Sequence, residues 1–138
     1  MSIAYIDLDE ALVAPLLLDS GLLALFGDNP TRLFASIAQN GDTFPYAVFS
    51  ITNVSVLNRT PTPELDVVYL IETYAESREG AQSAQGIIHQ AVMNADFAYA
   101  GYSCYAVKWL GGRCTAGFEN GGVIWRMTGE YRLRWVGG

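Results

Sequence analysis

The sequence predicts an α+β domain: helices packed on a mostly antiparallel, twisted sheet of about five to six strands. Three observations predict it. Apolar residues recur at helical spacing near the N-terminus and again between Ser77 and Ala95. Much of the remainder alternates with a period of two and is cut by Gly, Pro and Asn clusters. With 138 residues, 51% of them apolar, the chain can bury a sizeable core as one domain, 1–138, without room for a second.

Each element has its own signals. Asp7 or Asp9 can cap a first helix whose opening turn carries Glu10, which suits the helix dipole. Leu12, Leu16 and Leu17 give it an apolar stripe, and Pro15 must kink it or end its first segment. Asp19-Ser20 offers a second cap for Gly21 to Phe26, with Gly27 as the stop. After Asp28-Asn29-Pro30 the pattern turns to strands over Arg32 to Ile37, Pro45 to Leu57 and Asp66 to Tyr74. The last two are separated by residues 58–63, where Pro61 and Pro63 forbid a tight, fully paired hairpin, so that loop should project. Ser77 then caps a helix whose buried stripe, Ala81, Ala84, Ile88, Ala91, Val92 and Ala95, is small enough for close approach to the sheet.

The last third reads as a meander. Tyr99 to Leu110 and Arg113 to Phe118 flank Gly111-Gly112, and Asn120-Gly121-Gly122 makes the next turn. A two-residue hairpin at Gly111-Gly112 would place Leu110 against Arg113 and Trp109 against Cys114. Cys104 would then be out of bonding reach of Cys114, and both cysteines are read as reduced, semi-buried small residues. The final strand has the clearest period. Val123, Trp125, Met127, Tyr131, Leu133 and Trp135 fall on one face, interrupted by Gly129. Arg126, Thr128, Glu130, Arg132 and Arg134 fall on the other.

Chemistry is sparse. The single His89 sits beside Ile88 on a helix, where a half-buried or solvated imidazole is the ordinary reading, and it has no companions for a metal site. The glycine pairs are spaced for hairpins and neither opens a helix after a strand, so neither is a phosphate cradle. Asp7, Asp9 and Glu10 read as first-turn capping acids rather than paired catalytic carboxylates. Asn53-Val54-Ser55 and Asn58-Arg59-Thr60 fit a glycosylation pattern that a cytosolic chain would not use. Tyr69, Tyr74, Tyr99, Tyr102 and Tyr105 lie on strands, where core positions are expected for most and interface anchoring for some. No catalytic residue, cofactor or metal is expected. The longest apolar stretch, Ala11 to Leu18, is too short to cross a bilayer, and the acidic opening residues do not resemble a secretory leader.

Net charge is −6, which argues against a nucleic-acid reader. Its distribution is uneven: residues 1–76 hold ten acids against two arginines, while residues 101–138 hold five bases against Glu119 and Glu130. Two readings stand side by side. Either these charges pair within the fold, or they mark complementary faces that meet between identical subunits.

In element order and local pattern the chain resembles the tail-completion (tail terminator) family of long-tailed bacteriophages and gene transfer agents. The residues that carry the resemblance are Ser20-Gly21-Leu22-Leu23-Ala24-Leu25-Phe26-Gly27, a short strand with Arg32-Leu33-Phe34, and Phe44-Pro45-Tyr46-Ala47-Val48. An extended strand from Val67 to Ala75 then leads through Ser77 and Gly80 into the alanine-rich helix. The loop at 58–63 departs from the family pattern. The resemblance implies a structural subunit that assembles into a ring, usually of six copies, on the last ring of the tail tube. Such a ring halts tube polymerisation and presents a surface to the head-side connector. Its place would be the head-proximal end of the virion tail, after assembly in the host cytoplasm, with DNA passing through the lumen unbound. A negative subunit suits such a conduit, because acids lining it repel phosphate. No membrane partner is implied.

Charge asymmetry nominates Asp7, Glu10 and Asp19 on one side and Arg126, Arg132 and Arg134 on the other as subunit-interface residues, and Arg59 in the projecting loop joins them. A head-to-tail adaptor or stopper is the alternative within virion assembly. A small-molecule-binding α+β domain is the alternative outside it, and would need a deep pocket with perturbed ionisable groups.

Overall fold

The computed structural model describes residues 8–27, 33–35, 44–58, 63–99, 101–119 and 122–137. The expectations for Asp7, Arg59, Asp28-Asn29-Pro30, the middle of the 58–63 loop and Asn120-Gly121 lie outside those residues.

Among the described residues, three helices pack on one curled sheet. The first, α1 (Leu8–Leu16), runs through Pro15 for its last residues and buries Leu8, Ala11, Leu12 and Leu16. The second, α2 (Ser20–Phe26), starts where Asp19 accepts a hydrogen bond from the Leu22 amide at 2.9 Å. It stops where Gly27 takes φ = 89°, a left-handed value that a side chain would oppose. The longest, α3 (Arg78–Asn94), is capped by Ser77, whose Oγ accepts from the Gly80 amide at 3.0 Å. Ala81, Ala84, Ile88, Ala91 and Val92 of the predicted stripe lie buried, while Ala95 is half-buried as the C-terminal cap.

The strands are β1 (Leu33–Ala35), β2 (Tyr46–Asn58), β3 (Glu64–Ala75), β4 (Ala98–Tyr99), β5 (Tyr102–Gly111), β6 (Cys114–Glu119) and β7 (Gly122–Gly137). They are ordered β1-β2-β3-β7-β5-β4, with β6 also paired to β7. Among the described residues only β1 and β2 run parallel; the other pairs are antiparallel. The α+β class is therefore the observed one.

Alternation sets the layers. Leu65, Val67, Tyr69 and Ile71 of β3 lie opposite Trp135, Leu133, Tyr131 and Gly129 of β7 on the face that the helices cover. Phe97 meets Trp135 edge-on at 6.1 Å, and the Tyr69 hydroxyl donates to the Leu8 carbonyl at 2.7 Å, tying α1 to the sheet. Inside this layer Thr73 donates to Gln85 Oε1 at 2.6 Å, which pairs the Thr73 hydroxyl with the Gln85 carbonyl oxygen. Gly129 leaves room for that pair, since a Cβ there would collide with Gln85 Nε2.

Three expectations are corrected. The final strand does not close a sequential meander; it inserts at the centre, with β3 along one edge and β5 and β6 along the other. A middle strand gains two ladders where a meander edge has one, and that outweighs the local hairpin signal. Second, Gly111-Gly112 is not a hairpin turn. Gly111 pairs with Glu130 and Cys114 with Met127, so β5 and β6 run in line along the same edge of β7 with a kink between them. The Arg113 carbonyl still accepts from the Thr128 amide at 2.8 Å across the kink. Gly111 has φ = 126°, and a Cβ on Gly112 would collide with the Thr128 carbonyl, so both glycines are there for close approach rather than for reversal. Cys114 therefore faces Met127 instead of Trp109, although both cysteines are free. Third, Tyr99 to Leu110 is two strands, because Gly101 at φ = 86° turns the chain between β4 and β5.

Candidate assembly surfaces

The open face of the sheet carries the polar residues of β3 and β7. Register brings Asp66 opposite Arg134 and next to Arg132, and Glu72 opposite Thr128 near Arg126. Arg126 Nη1 donates to Glu72 Oε2 at 3.0 Å; Arg132 and Arg134 lie 3.2 and 4.0 Å from the two oxygens of Asp66. The acid-rich first half of the chain and its basic last strand are thus neighbours within one subunit. Tyr74 also reaches Glu72, at 3.4 Å. Its phenol is pushed above the usual range, first by burial and then by the Glu72 charge.

Five of the seven candidate residues from the sequence lie among the described residues. Arg126, Arg132 and Arg134 come together on this open face. Asp19 caps α2, far along the chain from them, and Glu10 is exposed in the first turn of α1. The structure does not bring Glu10 and Asp19 against the arginines within one subunit. Asp7 and Arg59 lie outside the described residues.

His89 is half-buried, with Nδ1 2.9 Å from the Tyr131 hydroxyl and its ring edge-on to Trp109 at 5.5 Å. Burial pushes the Tyr131 phenol up to about 12, with Gln85 acting in the opposite direction. Burial likewise raises the Cys104 thiol, which works against a reactive thiolate. Two surface cavities of about 330 and 370 Å³ flank the Glu72–Arg126 pair. Among the described residues, no group of three or more His, Cys, Asp or Glu is arranged to hold a metal ion. No helix there is long and apolar enough to cross a membrane.

Sequence reasoning missed the exposed apolar residues at the sheet margins. Tyr105, Trp109 and Leu110 stand out from β5, and Val54 and Leu57 from β2. At the far end of β6, Phe118 is 87% exposed and directly opposite exposed Val123. The signal that could have found them is the composition of β2, which holds no charged residue over its 13 positions.

No protein-family model matches this sequence, and no curated protein sequence does. The fold does find a match. A chain from the virion of a native gene transfer agent particle superposes with a TM-score of 0.69 at 17% identity, spanning 96% of this chain and 100% of that one. The likeness runs end to end. At that identity it is a likeness of fold, and it extends to the helical layer as well as the sheet.

Proposed function

We propose that this protein is a structural component of a virion and not an enzyme. More specifically, it is a tail terminator: copies close into a ring, of six in the family's usual form, that caps the tail tube, stops its growth and joins it to the head-side connector. The observation that carries this reading is the likeness to a chain of a gene transfer agent virion over 96% of this chain and 100% of that one. The pattern of elements that resembles the tail-completion family supports the finer role. So does the charge: −6 per subunit lets a ring pass DNA without gripping it.

Unlike faces that meet head to tail close a ring when the rotation permits, and a closed ring has no in-plane site left for growth. The test has two parts. Native mass measurement and negative-stain imaging of purified protein, alone and mixed with assembled tail tubes, should reveal rings, with tubes capped at one end and no longer elongating. Protein that stays monomeric at high concentration and leaves tubes uncapped would refute the proposal. Rings that bind the head-side connector but not the tube would instead favour the adaptor or stopper reading.

A further inference from the structure

We infer that the sheet continues from one subunit into the next, the free edge of β2 in one copy pairing antiparallel with the free edge of β5 in its neighbour. This rests on the ring reading above and names the surface by which the ring closes.

The sheet has two long edges that the described residues leave unpaired. Among the described residues, β1 pairs with β2 at Ala47, Val48 and Phe49, and none pairs with that edge from Ser50 onward. β4 pairs with β5 at Tyr102 and Ser103, and the Cys104 amide donates to the Phe97 carbonyl at 2.9 Å, so among the described residues β5 is open from Tyr105 to Gly111. Taken as Ser50 to Val56 and Tyr105 to Gly111, the two open stretches are seven residues each, about 24 Å at about 3.4 Å per residue. Monomeric proteins protect such edges with charge, proline or brevity. Here β2 has no charged residue and β5 has only Lys108. Apolar side chains are exposed beside both edges, Val54 and Leu57 on one and Tyr105 and Trp109 on the other.

Strand direction selects the partner. β2 runs opposite to β3, β3 opposite to β7, and β7 opposite to β5, so β2 and β5 point in opposite directions at the two margins of one sheet. Subunits related by rotation about an axis roughly along the strands keep those directions, and the junction is then antiparallel. Side-chain faces agree as well. A register that joins like faces sets Val54 against Val107, both on the helix-covered face through Val67 and Leu133. It also sets Asn53 against Lys108, both on the open face through Val68 and Arg132. A slip by one residue would cross the faces.

The experiment uses the full chain on tail tubes. Val54→Lys places a charge on the uncharged edge and should reduce the ring fraction at least tenfold by native mass. Met93→Lys, at an exposed position on α3, should leave it unchanged. Circular dichroism verifies that both variants are folded. Independently, Asn53→Cys with Lys108→Cys, in a background where Cys104 and Cys114 are serine, should give on mild oxidation a ladder of cross-linked species ending at the ring number. Neither single cysteine should give one. Rings that form normally in Val54→Lys, or cross-linked dimers from Asn53→Cys alone, overturn the junction and leave the ring reading standing. Wild-type protein that never forms a ring overturns both.

Discussion

The two halves of β7 belong to one strand and share β3 as a ladder partner, yet they occupy different surroundings. From Gly129 to Gly137 every second residue is buried, whereas from Gly122 to Thr128 none is. The sequence alternates through both halves, with Val123, Trp125 and Met127 continuing the stripe of Tyr131, Leu133 and Trp135. What changes is the cover: α3 and the residues after it lie over the second half, where Gln85, His89 and Phe97 reach Gly129, Tyr131 and Trp135. Periodicity reports which residues share a face. It does not report whether anything lies on that face.

The largest expected effect tests that contrast directly. Trp135→Ala should cost about 3–5 kcal/mol in urea unfolding, because it empties a fully buried site against Phe97. Phe118→Ala, also a large aromatic in the sheet, should stay within about 0.5 kcal/mol, since its side chain is already in water. Equal costs would erase the distinction between the two ends.

Next comes alkaline pH. The Tyr131 phenol is held at about 12 against 10.0 in an unfolded chain. Below about pH 10 the phenol is neutral in both states and the stabilisation is fully present. Between those values the unfolded chain loses its proton first, so stability should fall, by up to about 3 kcal/mol by pH 12. Thermal melting from pH 9 to 12 should reveal a slope that Tyr131→Phe flattens.

A smaller effect is expected at the kink. Gly112→Ala should cost about 1–3 kcal/mol, because the new Cβ meets the Thr128 carbonyl and backbone must shift. Gly117→Ala, in open space on β6, should be close to neutral in the same denaturation assay. The smallest effect concerns the charged seam. Arg132→Glu should cost about 1 kcal/mol by placing a carboxylate beside Asp66. Adding Asp66→Lys should restore stability. If ring formation, followed by light scattering, recovers with it, Arg132 acts within the subunit; if rings stay lost while stability returns, Arg132 acts between subunits.

Much of this fold was legible in the sequence because its signals are local. The Asp19 cap, the Gly27 stop, the Ser77 cap and the alanine stripe of α3 each fix a boundary within a turn or two. Non-local pairing was not legible. Nothing near Gly111-Gly112 announces that both flanking strands bond to a third one arriving about fifteen residues later, and a two-glycine hairpin is the cheaper local reading. The charge asymmetry was visible, but not that β3 and β7 would lie side by side and bring Asp66 and Glu72 to the arginines. The apolar margins were hidden for the same reason: being on an edge is a property of the whole sheet.

The kink also separates two kinds of change that a strand normally couples. Since side chains on a strand alternate sides, removing one residue between Gly111 and Cys114 would turn β6 over as a unit and send Phe118 to the opposite surface. Nothing in the packed layer would have to follow, because among the described residues β6 pairs with β7 alone. A lineage could therefore re-aim this outlying arm toward a new neighbour by a single codon loss, leaving the body of the domain as it was.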